Sequence, residues 1–246
     1  MKFGEVPNPD LEINPPKMLC DDEIANDIPE PLERKPHVYL IVGAKGSGKS
    51  SLMVSLLTSK KKPYKAYRGK FHSVLLNMPK SSADSIKGKP FASLPASNFY
   101  SNFNEAFLDK IYETAEENTE EEHQTLCILD DCSSKLKTNR AMIDKLTLLV
   151  HKHRHLRLSI WILVQDLISC PLAIRKNCCC LAYFRPTNEK SNQIFREEFL
   201  GGFSLKDTAD FMDYMFKKKG DCLWVRLSTI PYEYYRNYNL INITHE

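Results

Sequence analysis

Apolar residues along this chain gather into short continuous runs, and the stretches between them carry helical spacing. The runs 38–42, 73–78, 125–129, 158–164, 179–184, 222–227 and 232–236 predict strands. Several, such as Leu158-Ser159-Ile160-Trp161-Ile162-Leu163-Val164, show no polar alternation, which predicts strands buried on both faces, as in a parallel sheet. Helical spacing predicts helices over 51–57, 104–118, 139–153, 171–177, 189–199 and 205–217, with Asn104 as an N-cap. Residues 79–103 hold Ser, Pro, Gly and Asn signals and predict a loop with short turns. Strands alternating with helices give an α/β fold with a mainly parallel central sheet and helices on both faces. Residues 1–36, with Pro7, Pro9, Pro15, Pro16, Pro29, Pro31 and Pro36 and little periodicity, predict an extended arm that packs on the domain or on a neighbouring subunit. The folded domain is expected over 37–246.

The junction of the first strand and helix is the most informative place in the chain. Gly43-Ala44-Lys45-Gly46-Ser47-Gly48-Lys49-Ser50 fits G-x-x-x-x-G-K-[ST] at every fixed position, between an apolar strand and the helix opening at Ser51. Strand, glycine loop and helix form the context this phosphate-binding motif needs. The glycines let backbone N–H groups turn inward around a phosphate, and the helix N-terminus adds a positive dipole end. Gly43 to Ser51 are therefore the expected nucleotide-binding residues, with ATP as ligand. Lys49 would reach the β- and γ-phosphates, and Ser50 would ligate Mg2+.

Composition narrows the picture only slightly. The 246 residues suit one α/β domain, and 34 Lys+Arg against 31 Asp+Glu give a net charge of +3, too balanced to announce a nucleic-acid binder. No stretch approaches the roughly 18 apolar residues of a membrane span, and the polar, proline-bearing N-terminus is unlike a secretory signal. The eight cysteines include Cys178-Cys179-Cys180 in an apolar run and no C-x-x-C, which points to small buried thiols in a reducing compartment.

A second chemical segment lies about 80 residues beyond the glycine loop. Leu126-Cys127-Ile128-Leu129-Asp130-Asp131 has the Walker B form, an apolar strand delivering carboxylates at its C-terminal end. Ligands of such sheets sit outside the carboxyl ends of the strands, so both acids should face the loop. Asp130 would hold the magnesium hydration shell, and Asp131 would orient or activate the attacking water. Two adjacent acids favour a hydrolase over a nucleotide kinase. Gln165 ends the next strand in the same register; it either touches the γ-phosphate or the attacking water, or closes its strand by hydrogen bonding.

Three stretches make a resemblance specific. The segment Arg154-His155-Leu156-Arg157 running into Leu158–Gln165, the Leu129-Asp130-Asp131 acid end, and Ile174-Arg175-Lys176-Asn177 resemble the genome-packaging ATPases of the FtsK–HerA superfamily, especially those of poxviruses, other large DNA viruses, virophages and polinton-like elements. Trp224-Val225-Arg226 and Tyr235-Arg236-Asn237 resemble the end of that domain, so the likeness spans about residues 36–240. The resemblance implies a P-loop NTPase of RecA-like (ASCE) topology, a homo-oligomeric ring, and ATP hydrolysis between subunits. It also implies double-stranded DNA driven into a preformed viral capsid at its portal vertex, with the work done in the host cytoplasm at the virus factory. Many cellular members carry Glu where Asp131 stands.

Such a ring needs a positive group from the neighbouring subunit to neutralise charge on the transferred phosphoryl. Arg140, Arg154, Arg175 and Arg185 are candidates; Arg154 and Arg175 rank first because they sit in the family-like segments. Residues 60–70 interleave Lys60, Lys61, Lys62, Lys65, Arg68 and Lys70 with Tyr64 and Tyr67, which suits either DNA phosphate tracking or a solvated loop. The run His151-Lys152-His153-Arg154-His155 reads as a polar helix end rather than a metal site. Two competing functions remain: a cellular-type DNA pump outside viruses, and a nucleotide-gated switch, although the guanine-reading Asn-Lys-x-Asp is missing and Asn188-Glu189-Lys190 does not match it.

Overall fold

The computed structural model describes residues 22–60 and 66–243. Nine strands form one sheet: β1 (Val38–Val42), β2 (Ser73–Asn77), β3 (Phe99–Tyr100), β4 (Thr125–Asp130), β5 (Leu158–Val164), β6 (Cys180–Phe184), β7 (Cys222–Arg226), β8 (Glu233–Arg236) and β9 (Asn239–Leu240). Their order across the sheet is β3-β2-β4-β5-β1-β6-β7-β8-β9. The pairings from β3 through β6 are parallel, and β7, β8 and β9 add an antiparallel margin. The acid strand β4 does not touch β1; β5 lies between them, which is the RecA-like arrangement.

Helices cover both faces, as the double-sided burial of β1, β4, β5 and β6 requires. Side chains alternate along each strand, so Val38, Leu40 and Val42 enter one core while Tyr39 and Ile41 enter the other. The first core is thick. It is closed by α3 (Glu105–Glu120), α4 (Ser133–Thr138), α5 (Arg140–Lys152), α6 (Leu172–Arg175), α7 (Glu189–Phe199) and α8 (Leu205–Met215). Asn104 and Asn139 cap α3 and α5, each accepting an N–H from three residues on. The second face has only α1 (Lys49–Thr58) as a long cover, through Met53 and Leu56.

The gap on that thinner face is filled by the arm. Ile28 and Leu32 are fully buried against Tyr39 and Tyr67, so the described part of the expected arm, 22–36, packs on its own domain. Residues 1–21 lie outside the described residues. The predicted loop 79–103 contains α2 (Lys80–Ser85) and the two-residue strand β3, and a helix at 133–138 precedes the expected one. These pieces are too short for periodicity to reveal.

Under the arm lies a buried polar cluster. The Trp161 Nε1–H donates to His37 Nε2 at 2.9 Å, and His37 Nδ1 lies 2.8 Å from the Lys35 carbonyl, which fixes a neutral ring protonated at Nδ1. The hydroxyls of Tyr39 and Tyr67 are 2.7 Å apart, and Tyr67 donates to the Glu33 carbonyl. Burial holds His37 down to about 3. An unfolded His37 takes up its proton near pH 6.5, while the folded one refuses it until about pH 3. Stability should therefore be intact above pH 6.5 and fall below it, by up to about 1.4 kcal/mol per pH unit. His153, also buried and also lowered, adds in the same sense. Urea unfolding between pH 7 and 5 should show this slope, and His37→Gln should flatten it; an unchanged slope in the variant would assign the acid sensitivity elsewhere.

Candidate functional site

Strand register sets the site. Val42 pairs with Val164 across β1–β5, Asp130 with Leu163 across β4–β5, and Val42 with Tyr183 across β1–β6. The residues that follow, 43–50, 131, 165 and 184–185, therefore emerge on one rim, at the carboxyl ends of the parallel strands.

The glycine loop is built as its sequence implies. Gly43 N–H donates to the Val164 carbonyl at 3.1 Å, tying the loop to β5. A side chain at Gly43 would place its Cβ 2.5 Å from Ser47 Oγ and 2.7 Å from Phe184 Cβ, so nothing larger than glycine fits. Gly48 leads into α1 at φ +119°, a conformation L side chains rarely adopt. Lys49 donates from Nζ to the carbonyls of Gly43 (2.6 Å) and Ala44 (3.2 Å), laying the ammonium along the loop. Burial lowers the Lys49 pKa, opposed by the charges of Asp130 and Asp131.

The acids converge on this loop. Ser50 Oγ donates to Asp130 Oδ2 at 3.3 Å, joining residues 80 positions apart. Asp130 is buried, which raises its pKa against the pull of Lys49 and the Ser50 hydrogen bond. A hydroxyl and a carboxylate this close are hard oxygen donors suited to Mg2+, which takes few protein ligands and keeps its waters. Asp131, by contrast, is exposed, at φ +61°, and this left-handed turn takes it out of the line of β4. Gln165 Nε2 donates to Asp131 Oδ1 at 3.2 Å. Lys49, Ser50, Asp130, Asp131 and Gln165 thus meet at one place.

The arginines separate. Arg175 is buried in its own fold: Nε and Nη2 donate to Glu198 at 3.0 and 2.6 Å, and Nη1 donates to the carbonyls of Leu167 and Cys170. With every guanidinium nitrogen engaged, Arg175 has nothing to offer a neighbouring subunit, and the expectation of a catalytic part for it is corrected to a structural one. Arg154 is exposed in the turn before β5, at the opposite end of the sheet. The seven residues of β5 put it roughly 20 Å from its own glycine loop. Arg140 and Arg185 are on the loop's rim, beside Asp144 and Asp213.

The basic segment is corrected in part. Lys61, Lys62, Tyr64 and Lys65 lie outside the described residues, but Tyr67 is a buried core residue and so belongs neither to a DNA-tracking surface nor to a solvated loop, and Lys70 pairs with Asp27 at 2.6 Å. What sequence reasoning missed is the far wall of the site. Lys219 and Gly220 before β7, Trp224 within it and Tyr238 after β8 line a cavity of about 590 Å³ together with Gly46, Ser47 and Gly48. Only the antiparallel return of β7 and β8 beside β6 brings them there, and no motif marks it.

No protein-family model matches the sequence, and no curated protein does. Solved structures match the fold. The genome packaging NTPase B204 from Sulfolobus turreted icosahedral virus 2, in complex with sulfate, superposes with a TM-score of 0.60 at 14% identity over 85% of this chain and 99% of that one. The shared feature is an α/β, RecA-like fold. The DNA-packaging ATPase B204 from Sulfolobus turreted icosahedral virus gives 0.58 at 13% identity, covering 84% of this chain and 99% of its own. EssC (ATPases 2 and 3) from Geobacillus thermodenitrificans gives 0.56 at 13% identity, over 85% of this chain and 40% of that one. The α/β, RecA-like expectation thus holds, and among the described residues no helix is long and apolar enough to cross a membrane.

The reassignment of Arg175 has a direct check. Arg175→Ala strands the Glu198 carboxylate and should cost roughly 3 kcal/mol of stability, while Arg175→Ala with Glu198→Ala should recover part of it. Thermal unfolding that leaves the single variant as stable as the parent would return Arg175 to the catalytic candidates.

Proposed function

We propose that this protein is an ATP-hydrolysing motor subunit of the FtsK–HerA superfamily that drives double-stranded viral DNA into a preformed capsid. The observation that carries the reading is the hydrogen bond from Ser50 to Asp130, 3.3 Å long, which joins the phosphate loop to the acid strand. In this reading the loop N–H groups and Lys49 hold the phosphates. Ser50 and Asp130 hold Mg2+, which when bound would screen the charge of the β- and γ-oxygens. Asp131 orients the attacking water and accepts its proton, and its exposed carboxylate is free to do so once Gln165 turns toward the γ-phosphate. Gln165, tied to Asp131 at 3.2 Å, then reports the nucleotide state to the loops that follow β5.

The packaging role rests on the sequence likeness at 154–165 and 174–177 and on the shared fold with B204, which is described as a DNA-packaging ATPase. The working form is a homo-oligomeric ring at the portal vertex in the host cytoplasm, in which Arg154 reaches the site of an adjacent copy. The distance between Arg154 and its own loop supports action in trans over action in cis. A DNA pump outside viruses uses the same chemistry and differs only in its setting.

Turnover of ATP with and without duplex DNA tests the reading. Lys49→Ala should lose binding and turnover together. Asp131→Asn should keep ATP bound and lose about 100-fold or more in turnover, the usual scale for a missing general base. Full turnover by both variants would end the hydrolase reading; a monomer whose wild-type turnover ignores DNA would end the motor reading and leave the hydrolase.

A further inference from the structure

Gln165 is exposed, just beyond the end of β5, so its aim at Asp131 is set by its backbone rather than by packing of its side chain. The chain that follows is tied down at each step. Asp166 Oδ1 accepts both the N–H and the hydroxyl of Ser169, at 2.8 Å each, which closes the short turn Leu167–Ser169. The Leu167 N–H donates to Ser191 Oγ at 3.1 Å, and the Leu167 carbonyl accepts from Arg175 Nη1 at 3.0 Å. The same Nη1 donates to the Cys170 carbonyl.

The outer anchors of this grip both belong to α7. Ser191 and Glu198 stand about two helical turns apart on one stripe, with Phe195 between them stacked on Tyr183 at 4.5 Å. Ser191 and Phe195 are fully buried. A core-facing stripe is ordinarily apolar along its length; here its two ends are polar, and one meets the turn after Gln165 directly while the other meets it through Arg175. Stability alone does not call for this, because an apolar pair of similar volume packs at least as well as a buried ion pair. What the guanidinium adds is direction. Nε and Nη2 are fixed on Glu198 at 3.0 and 2.6 Å, and that bidentate hold aims Nη1 at the two carbonyls of the turn.

We propose that Arg175, held by Glu198 and assisted by Ser191, is a positioning residue for ATP hydrolysis: it fixes the turn at 167–170 and, through it, the aim of Gln165 at Asp131. The inference rests on the reading of Gln165 as a group that works beside the γ-phosphate, and it makes α7 the brace of that side of the site. The guanidinium touches neither nucleotide nor water; it acts through the backbone of the turn.

Steady-state turnover of ATP with Mg2+ tests the brace in two backgrounds. Gln165→Ala should lower kcat about tenfold, within the range that a small misplacement of a reacting group costs. Arg175→Lys has a single nitrogen that cannot span Glu198 and both carbonyls, and it should also lower kcat about tenfold with KM for ATP unchanged. Ser191→Ala should lower kcat in the same sense by a smaller factor. In the Gln165→Ala background neither change should cost anything further, because the side chain they aim is gone. A part in stability alone would remove the same factor from both backgrounds, and that equality would overturn the proposal. Ser191→Ala keeps the ion pair and carries the test where Arg175→Lys does not fold. Parent kcat in Arg175→Lys and Ser191→Ala, beside a slowed Gln165→Ala, would overturn the brace and leave the reading of Gln165 standing. Full turnover by Gln165→Ala would overturn both.

Discussion

The parallel insertion of β5 between β1 and β4 is the constraint on which the site depends. A strand has no freedom to slip by one residue when both faces are buried, because a slip turns every side chain to the wrong core. The seven residues of β5 are buried on both faces, so their pairing with β1 and β4 locks the heights of Gly43, Asp130 and Gln165 together. The 3.3 Å approach of Ser50 to Asp130 follows from that locking rather than from any local attraction strong enough to impose it. A hydroxyl-to-carboxylate hydrogen bond contributes only about 1–3 kcal/mol; the register is held by the whole apolar sandwich.

Charge burial gives the same rim its chemical character. Asp130 and Lys49 are each displaced by desolvation toward their neutral forms, and each is pulled back by the other. A carboxylate and an ammonium held in that balance remain responsive to an added divalent cation and an added polyphosphate, which bring charges of both signs to the same spot. Asp131, one residue further, escapes this environment because its left-handed backbone carries it out to solvent. Two adjacent aspartates thus acquire different surroundings, one suited to holding a metal and one to handling a water.

The glycine loop, the acid pair and the strand-ending Gln165 were legible in the sequence because each is a local pattern whose geometry is enforced by its own strand. The missed elements depend on partners far away in the chain. The two residues of β3 are a strand only because the edge of β2 accepts them, and Ile28 and Leu32 are buried only because α1 leaves part of its face open. Arg175 looked like a catalytic arginine from its segment; the ion pair that occupies it comes from Glu198, 23 residues on, in another helix. Tyr67 sat among lysines in the sequence, yet its hydroxyl belongs to a buried cluster with Tyr39 and Glu33. In each case the side chain was right and its company could not be read from spacing.

With Arg175 removed, the supply of positive charge to a transferred phosphoryl becomes a question of geometry. Lys49 lies along the loop itself, and Arg140 and Arg185 stand on the rim beside carboxylates that share their charge. Arg154 is the exposed family-like arginine, but it projects from the far end of β5, and no arginine side chain spans the roughly 20 Å back to its own loop. An arginine placed there acts on another copy or has no catalytic part. If it acts, the loop rim of one subunit must face the opposite end of the next sheet, a head-to-tail contact that closes into a ring when the rotation permits. If Arg154 acts, the separation of cradle and arginine to opposite ends of one sheet would make a single chain an incomplete catalyst, and the closing of each site would depend on how two sheets meet.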